Sequence, residues 1–305
     1  MRTPLAEIEL VGPGGEPVDL QRTISSHGLV ELPPLRVGGG TLEVTLPVQG
    51  KRPRTVIVAG VRPGMAVLTA RGSRPGAREA RSLTAEVRHL LRLDQDLSPF
   101  YALAATDPAL AWATTGAGRM VRSATVFEDV VKTICTTNCA WSGTVRMVGA
   151  LVEHLGEPAP GAPPTGSHGR TFPTPAAMAA AGETFYRETV RAGYRGRYLE
   201  ALARDVAAGS TDLEALDHAA PAGLTDGEVE RRLLALPGVG PYAAAHIMMM
   251  LGRYSRLILD SWTRPAYSRI TGGRPVKDAT IVRRFRRYGP YAGLAFWLTV
   301  TRDWV

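Results

Sequence analysis

The rhythm of the hydrophobic positions changes partway along this chain. Up to about residue 95 they alternate or cluster in short runs: AEIEL, EPVDLQRTI, TLEVTLPV, RTVIVAGV and GMAVLTARG. Gly/Pro breaks at 12–15, 38–40 and 62–64 separate these β-formers. That pattern predicts a meandering antiparallel sheet. One helix is expected within it, around 27–32. The stretch 83–115 marks the crossing into helical spacing, which then holds to the C-terminus. Val126, Phe127, Val130, Val131 and Ile134 form one apolar stripe, the mark of a helix packed on a core. Thr136, Thr137 and Asn138 interrupt that helix, and a second is expected from Trp141 to Leu155. The Pro/Gly-rich segment 157–170 reads as a loop inserted in the helical part. Thr174 then caps a further helix. The predicted class is α+β, with an antiparallel β-rich domain over 1–95 and a mainly helical domain over 96–305.

The most specific stretch is 225–264. Thr225 and Glu228 stand at capping-box spacing, and Val229, Leu233, Leu234 and Leu236 line roughly one helical face. LPGVG at 236–240 breaks the helix. Pro237 removes a donor, while Gly238 and Gly240 permit backbone angles closed to other residues. Pro241 then starts a second helix, rich in Ala and Met, that runs to about Leu251; the first turn is a favoured place for proline. The result is a helix-hairpin-helix. Its second helix offers free N–H groups at its N-terminus, where phosphate binds readily. A corner serving only packing has the same local pattern. Asp260 follows Leu257, Ile258 and Leu259. It either caps a helix starting at Ser261 or lies against apolar walls, where a poorly screened carboxylate stabilises a developing cation.

Charge narrows the choice of partner. The formal net charge is +8 and the pI about 9.9, which favours a polyanion such as nucleic acid. Hydrophobic content of 45% against 21% charged residues excludes a disordered chain. The two cysteines, Cys135 and Cys139, are too few for a four-cysteine iron–sulfur cluster. Their i,i+4 spacing predicts one shared helix face, and reduced thiols are expected in a cytosolic protein. MRTPLAEIEL carries no signal-peptide core, and no apolar run approaches the length of a membrane span.

LPGVG, the short helix after it and Asp260 together resemble the helix-hairpin-helix DNA glycosylase superfamily. LRLDQDLSPFYALAATDPAL, GYRGRYL at 193–199 and GPYAG at 289–293 extend the resemblance to its oxoguanine branch, over roughly 90–305. The resemblance implies double-stranded DNA with a damaged base as partner. It also implies a monomer with no membrane association, cytoplasmic and nucleoid-associated in a bacterium. Asp260 would support cleavage of the N-glycosidic bond, and amides around Gly238, Val239 and Gly240 would grip phosphate. The carbonyls of Leu234, Leu236 and Val239 would hold a Na+ or K+ ion; no other cofactor and no iron–sulfur cluster is expected. Asn138 would enter the duplex, unless it only caps its helix. Tyr194 would wedge into the base stack and Arg195 would meet the orphaned base or its phosphate, unless both form an ordinary surface corner.

Four positions depart from the oxoguanine pattern. The family's catalytic lysine falls on Tyr242, 18 residues before Asp260. A phenol forms no imine, so hydrolysis without lyase chemistry is expected. Phe296 and Val300 stand where a Gln and a Phe hold the flipped base, and Gly143 replaces an Arg that reads the opposite cytosine. A pocket of Tyr242, Trp262, Phe296 and Trp297 suits a cationic alkylated purine instead, each aromatic face being worth about 0.5–2 kcal/mol. That activity is similar to that of the 3-methyladenine glycosylases. The expected function is monofunctional excision of a damaged, alkylated purine from duplex DNA. The alternatives are an oxoguanine-type enzyme with lyase activity and a non-catalytic damage-binding protein.

Overall fold

The computed structural model describes residues 2–218 and 223–304. The alternating runs build one antiparallel sheet from β1 (Arg2–Glu9), β2 (Leu35–Gly38), β3 (Thr41–Val48), β4 (Lys51–Arg62) and β5 (Met65–Arg71), in the order β1-β5-β4-β3-β2. Val44 sits opposite Val56, and Val58 opposite Leu68. The period-2 pattern therefore buries Leu42, Val44, Leu46, Val56, Val58 and Leu68 on one face, as a half-buried sheet requires. EPVDLQRTI is not a strand. The Asp19 carboxylate accepts the Arg22 N–H at 3.1 Å and caps α1 (Leu20–Ile24); a local bond of this kind competes with strand pairing. The helix expected around 27–32 is a single 3₁₀ turn, Gly28–Glu31. Helical structure also resumes earlier than residue 83, in α2 (Ala77–Leu90), whose Leu83, Val87 and Leu90 close the core beneath the sheet.

The rest is helical: α3 (Ser98–Ala105), α4 (Val126–Thr136), α5 (Trp141–Leu155), α6 (Pro175–Ala180) and α7 (Gly182–Thr184), which runs into a π turn. Then come α8 (Arg195–Ala207), α9 (Asp226–Leu234), α10 (Pro241–Met250), α11 (Thr263–Ile270), α12 (Asp278–Phe285) and α13 (Ala292–Val300). The apolar stripe of α4 is buried throughout. Asn138 takes a left-handed φ of 48° and turns the chain out of the helix. Cys139 therefore lies beyond α4, and the two cysteines share no helix face: Cys135 is buried and Cys139 exposed. Among the described residues, no helix is long and apolar enough to cross a membrane.

α10 lies between two helical cores. Ala243, Ala244, Ile247, Met248 and Met250 pack into one, with residues of α4, α5, α8 and α9. Ala245 and Met249 pack into the other, with α13. A helix used on two sides must be apolar nearly all round, which explains its Ala/Met composition.

A buried ion pair ties the sheet region to the helices. The Glu16 carboxylate accepts from Arg119 at 2.5 Å and from the Leu97 N–H at 2.7 Å. Arg119 also donates to the carbonyls of Arg92 and Gln95, and both partners are almost completely buried. Removing one partner leaves the other's charge uncompensated, at a cost of about 3–5 kcal/mol. Arg119→Met should lower the unfolding free energy in urea by that amount. The Glu16→Gln/Arg119→Met double variant should recover part of the loss. A cost under about 1 kcal/mol in the single variant would mean the pair behaves as a solvated one.

Candidate active site and nucleic-acid interface

The hairpin forms as its residues dictate. Thr225 and Glu228 make both halves of a capping box at the start of α9. Gly238 has φ 82°, and a Cβ there would come within 2.8 Å of the Tyr198 ring; the fold needs glycine on both counts. Gly240 is different. It is extended, with φ −99° and ψ −176°, and a Cβ there would meet nothing within 4 Å. Its bare backbone faces open space in front of the α10 N-terminus. Val239 is buried and its N–H goes to the Leu236 carbonyl at 3.2 Å. Any contact of Val239 with a ligand is therefore through its backbone.

Asp260 takes the capping role read for it. Its Oδ1 accepts the Trp262 N–H at 2.9 Å and the Thr263 N–H at 2.6 Å, while its own N–H donates to Thr263 Oγ1 at 2.9 Å. It thus closes the first turn of α11, which begins at Thr263 rather than Ser261. Among the described residues, the hydrogen bonds to the Asp260 side chain all fall on Oδ1. Oδ2 remains for other work.

Beside Asp260 lies a chain of rings. Tyr242, on the first turn of α10, has its hydroxyl 3.4 Å from Thr136 Oγ1 and 3.3 Å from His246 Nδ1. Burial raises the pKa of this phenol, against the Thr136 hydrogen bond, and the nearby charge of Asp260 raises it further. Burial pushes His246 down to about 4. It pushes His27, whose ring is 6.1 Å away, to about 3, with His246 the next cause. Both imidazoles are uncharged at neutral pH. Trp297 stands 6.2 Å from His246 and 6.0 Å from Trp262, its indole N–H donating to the Ser26 carbonyl at 2.8 Å. The structure therefore brings Tyr242 and Trp262 to Asp260, and Trp297 against Trp262 and His246.

It does not bring Phe296. That ring is fully buried against Tyr267 and Phe285 at 5.7 and 5.3 Å. Successive helical positions point about 100° apart, so Phe296 and Trp297 cannot share a face. Val300 is buried as well. His246, His27 and Trp304 are part of the ring cluster without standing in any motif of the sequence. His246 is within reach of sequence reasoning, since i,i+4 spacing from Tyr242 places both on one strip of helix. His27 and Trp304 carry no such signal.

The two surface loops also converge. Asn138 donates to the Tyr194 hydroxyl at 3.2 Å, and both residues are exposed. Arg195 is buried, against its expected contact with DNA. It donates twice to the Thr137 carbonyl and stacks on the Tyr194 ring at 4.6 Å. Its guanidinium braces the turn from beneath. Of the chain's three lysines, Lys51 pairs with Glu79 at 2.8 Å and Lys132, fully buried, with Glu128 at 2.7 Å. Lys277 is exposed at the start of α12, beside the Arg264–Asp278 ion pair.

No family model and no curated protein matches the chain. Solved structures do. The 3-methyladenine DNA-glycosylase from Archaeoglobus fulgidus superposes with a TM-score of 0.74 at 20% identity, covering 98% of this chain and 99% of that one. MBOgg1 in complex with a low-affinity DNA ligand gives 0.71 at 17% identity, with 98% and 95% covered. The apo 8-oxoguanine glycosylase/lyase of Clostridium acetobutylicum gives 0.63 at 18% identity, with 87% and 98% covered. The α+β architecture, with its sheet, its helical body and its hairpin between α9 and α10, is thus the fold of the helix-hairpin-helix DNA glycosylases.

Proposed function

We infer that the chain is a DNA N-glycosylase that hydrolyses the glycosidic bond of an alkylated purine flipped out of duplex DNA. One observation carries the reading: a carboxylate held by a helix N-terminus stands beside uncharged aromatic walls, with Tyr242 where a lysine would form an imine. In the reaction the C1′–N bond breaks and its electron pair leaves with the base. The sugar becomes an oxocarbenium ion, stabilised by the Asp260 charge. Water adds at C1′ and gives up a proton, to Asp260 or to solvent, leaving a free base and an abasic site. A base already carrying positive charge leaves as a neutral molecule, and indole faces favour it while it is still bound.

The hairpin would hold the duplex. Amides of Gly240 and the first turn of α10 meet one phosphate. The carbonyls of Leu234, Leu236 and Val239 offer neutral, hard oxygens, and the Leu236 carbonyl keeps a lone pair beyond its bond to Val239. Such a donor set fits a Na+ or K+ ion, which would add positive charge facing the phosphate. DNA is present in two of the similar structures, MBOgg1 and the Clostridium enzyme with cytosine opposite 8-oxoG.

Asp260→Asn is the central experiment, because an amide oxygen still accepts the two N–H bonds and keeps the cap. Excision of 7-methylguanine should fall by about 10²–10³ while duplex binding holds. With the unaltered chain, borohydride should trap no adduct and strands should break only after alkali. Full activity in the Asn variant would reduce Asp260 to a cap, while no excision by the unaltered chain would leave the damage-binding alternative. A trapped adduct would point to a lysine, Lys277 first, and restore lyase chemistry.

Gly240→Val should fold normally, since its side chain enters empty space. It should bind damaged and undamaged duplexes equally less well, with the log–log salt slope shallower by about 0.9 for the lost phosphate. A change in lesion preference at intact affinity for plain duplex would remove the phosphate role. Tyr194→Ala should slow excision from a paired site more than from a mismatched one, where unstacking costs least. Equal slowing on both substrates would show that Tyr194 is no wedge.

A further inference from the structure

The aromatic cluster is closed by a ring that the reaction above does not use. Trp304 sits on a single 3₁₀ turn, Arg302–Trp304, its N–H donating to the Thr301 carbonyl at 3.0 Å. Its indole lies 5.2 Å from Trp262, tilted 59°, and 5.6 Å from Trp297, tilted 83°. A base stacked between two such faces needs about 7 Å, two ring contacts of about 3.5 Å each. The present gap admits none. Trp297 cannot make the room, being buried and bonded to the Ser26 carbonyl. Trp304 can, since it is 43% exposed. It also lines an open pocket of about 320 Å³, together with Ile24, Ser25, His27, Glu31 and Val37.

We propose that Trp304 fills the base position in the free protein and, displaced into that pocket by the flipped purine, stacks on the base opposite Trp262. The proposal rests on the excision reading for its substrate. Opening breaks a contact between two indoles, and only a base that stacks on both restores what was lost. A cationic purine regains most, because each indole face attracts positive charge. Trp304 is therefore a base-stacking residue that sets specificity. It carries no chemistry.

Two titrations and one rate test this. Saturable quenching of tryptophan fluorescence is followed with 7-methylguanosine, a cationic purine nucleoside, on the full chain. Trp304→Ala should weaken its binding about tenfold, and Trp304→Phe, which keeps a ring face, should recover most of the loss. Binding to a duplex with a tetrahydrofuran abasic analogue offers no base to stack, so it should stay within about twofold in both variants. Single-turnover excision of 7-methylguanine from duplex should need about tenfold more Trp304→Ala protein to reach half its maximal rate. Wild-type excision by Trp304→Ala would overturn the proposal, as would a parallel loss of abasic-duplex affinity. The two readings fail separately. If the unaltered chain excises nothing while the nucleoside still distinguishes Ala from Phe, the enzyme reading falls and the stacking stands. An active chain whose nucleoside titration ignores position 304 sinks the stacking alone.

Discussion

α10 is a helix packed on both sides with its N-terminus left at the surface, and the site follows from that constraint. Two cores grip it, one through Ala243, Ala244, Ile247, Met248 and Met250, the other through Ala245 and Met249. Close-packed interiors yield little, so the first turn is fixed in place. Gly240 and Tyr242 inherit that rigidity. The free amides at the α10 N-terminus and the phenol beside Asp260 are set by the same packing, less than one turn apart. A site built on a held element is more precise than one on a loop. His246, one turn further on, is the only strongly polar side chain in the buried length of α10. It is accommodated there neutral, against the Tyr242 hydroxyl.

The sheet region supplies the opposite wall, at a distance in sequence that only tertiary structure can close. The Ser26 carbonyl orients Trp297, and the Val121 carbonyl fixes His27 at 2.6 Å. A carbonyl only accepts, so Nε2 of His27 carries the proton. These contacts exist only if the sheet is correctly seated on the helices. Glu16 and Arg119 contribute to that seating, as do Lys132 and Glu128, whose ion pair lies under the Leu32 carbonyl. Buried charge pairs of this kind add little net stability against an apolar alternative. Their geometry is nonetheless demanding, and here both lie between the sheet region and α4 or its approach.

Local chemistry was legible in the sequence, and facing was not. The capping box at Thr225, the break at LPGVG and the two helices around Asn138 depend on neighbours within a turn. Each formed where the residues placed it. Asp260 is readable from the sequence as a cap, and its bonds to the α11 amides are that cap. EPVDLQRTI misled because β-forming composition says nothing of a capping bond from Asp19. Phe296 misled because an apolar helix gives no sign of which residue turns to the cleft and which to the core. Arg195 looked like a DNA ligand until the Thr137 carbonyl claimed it. Trp304 lacked any motif, and its value comes from Trp262 and Trp297, which are distant from it in sequence or on another element.

One electrostatic argument accounts for several departures from the oxoguanine pattern together. Around Asp260 burial holds Tyr242, His246 and His27 in their uncharged forms. The carboxylate acts on the Tyr242 phenol, and its Oδ1 is held by the amides of α11. A lysine at position 242 would place a cation within a few ångströms of that carboxylate and of any bound base. In a site of low polarity two like charges repel strongly, so a cationic purine and a lysine exclude one another. Under the excision reading, the loss of the imine-forming amine and the gain of aromatic walls are one adaptation. An enzyme that selects positive charge in its substrate gains by keeping positive charge out of its own pocket. Such a base needs less help to leave than a neutral one, and a single carboxylate facing the sugar is help of the right sign.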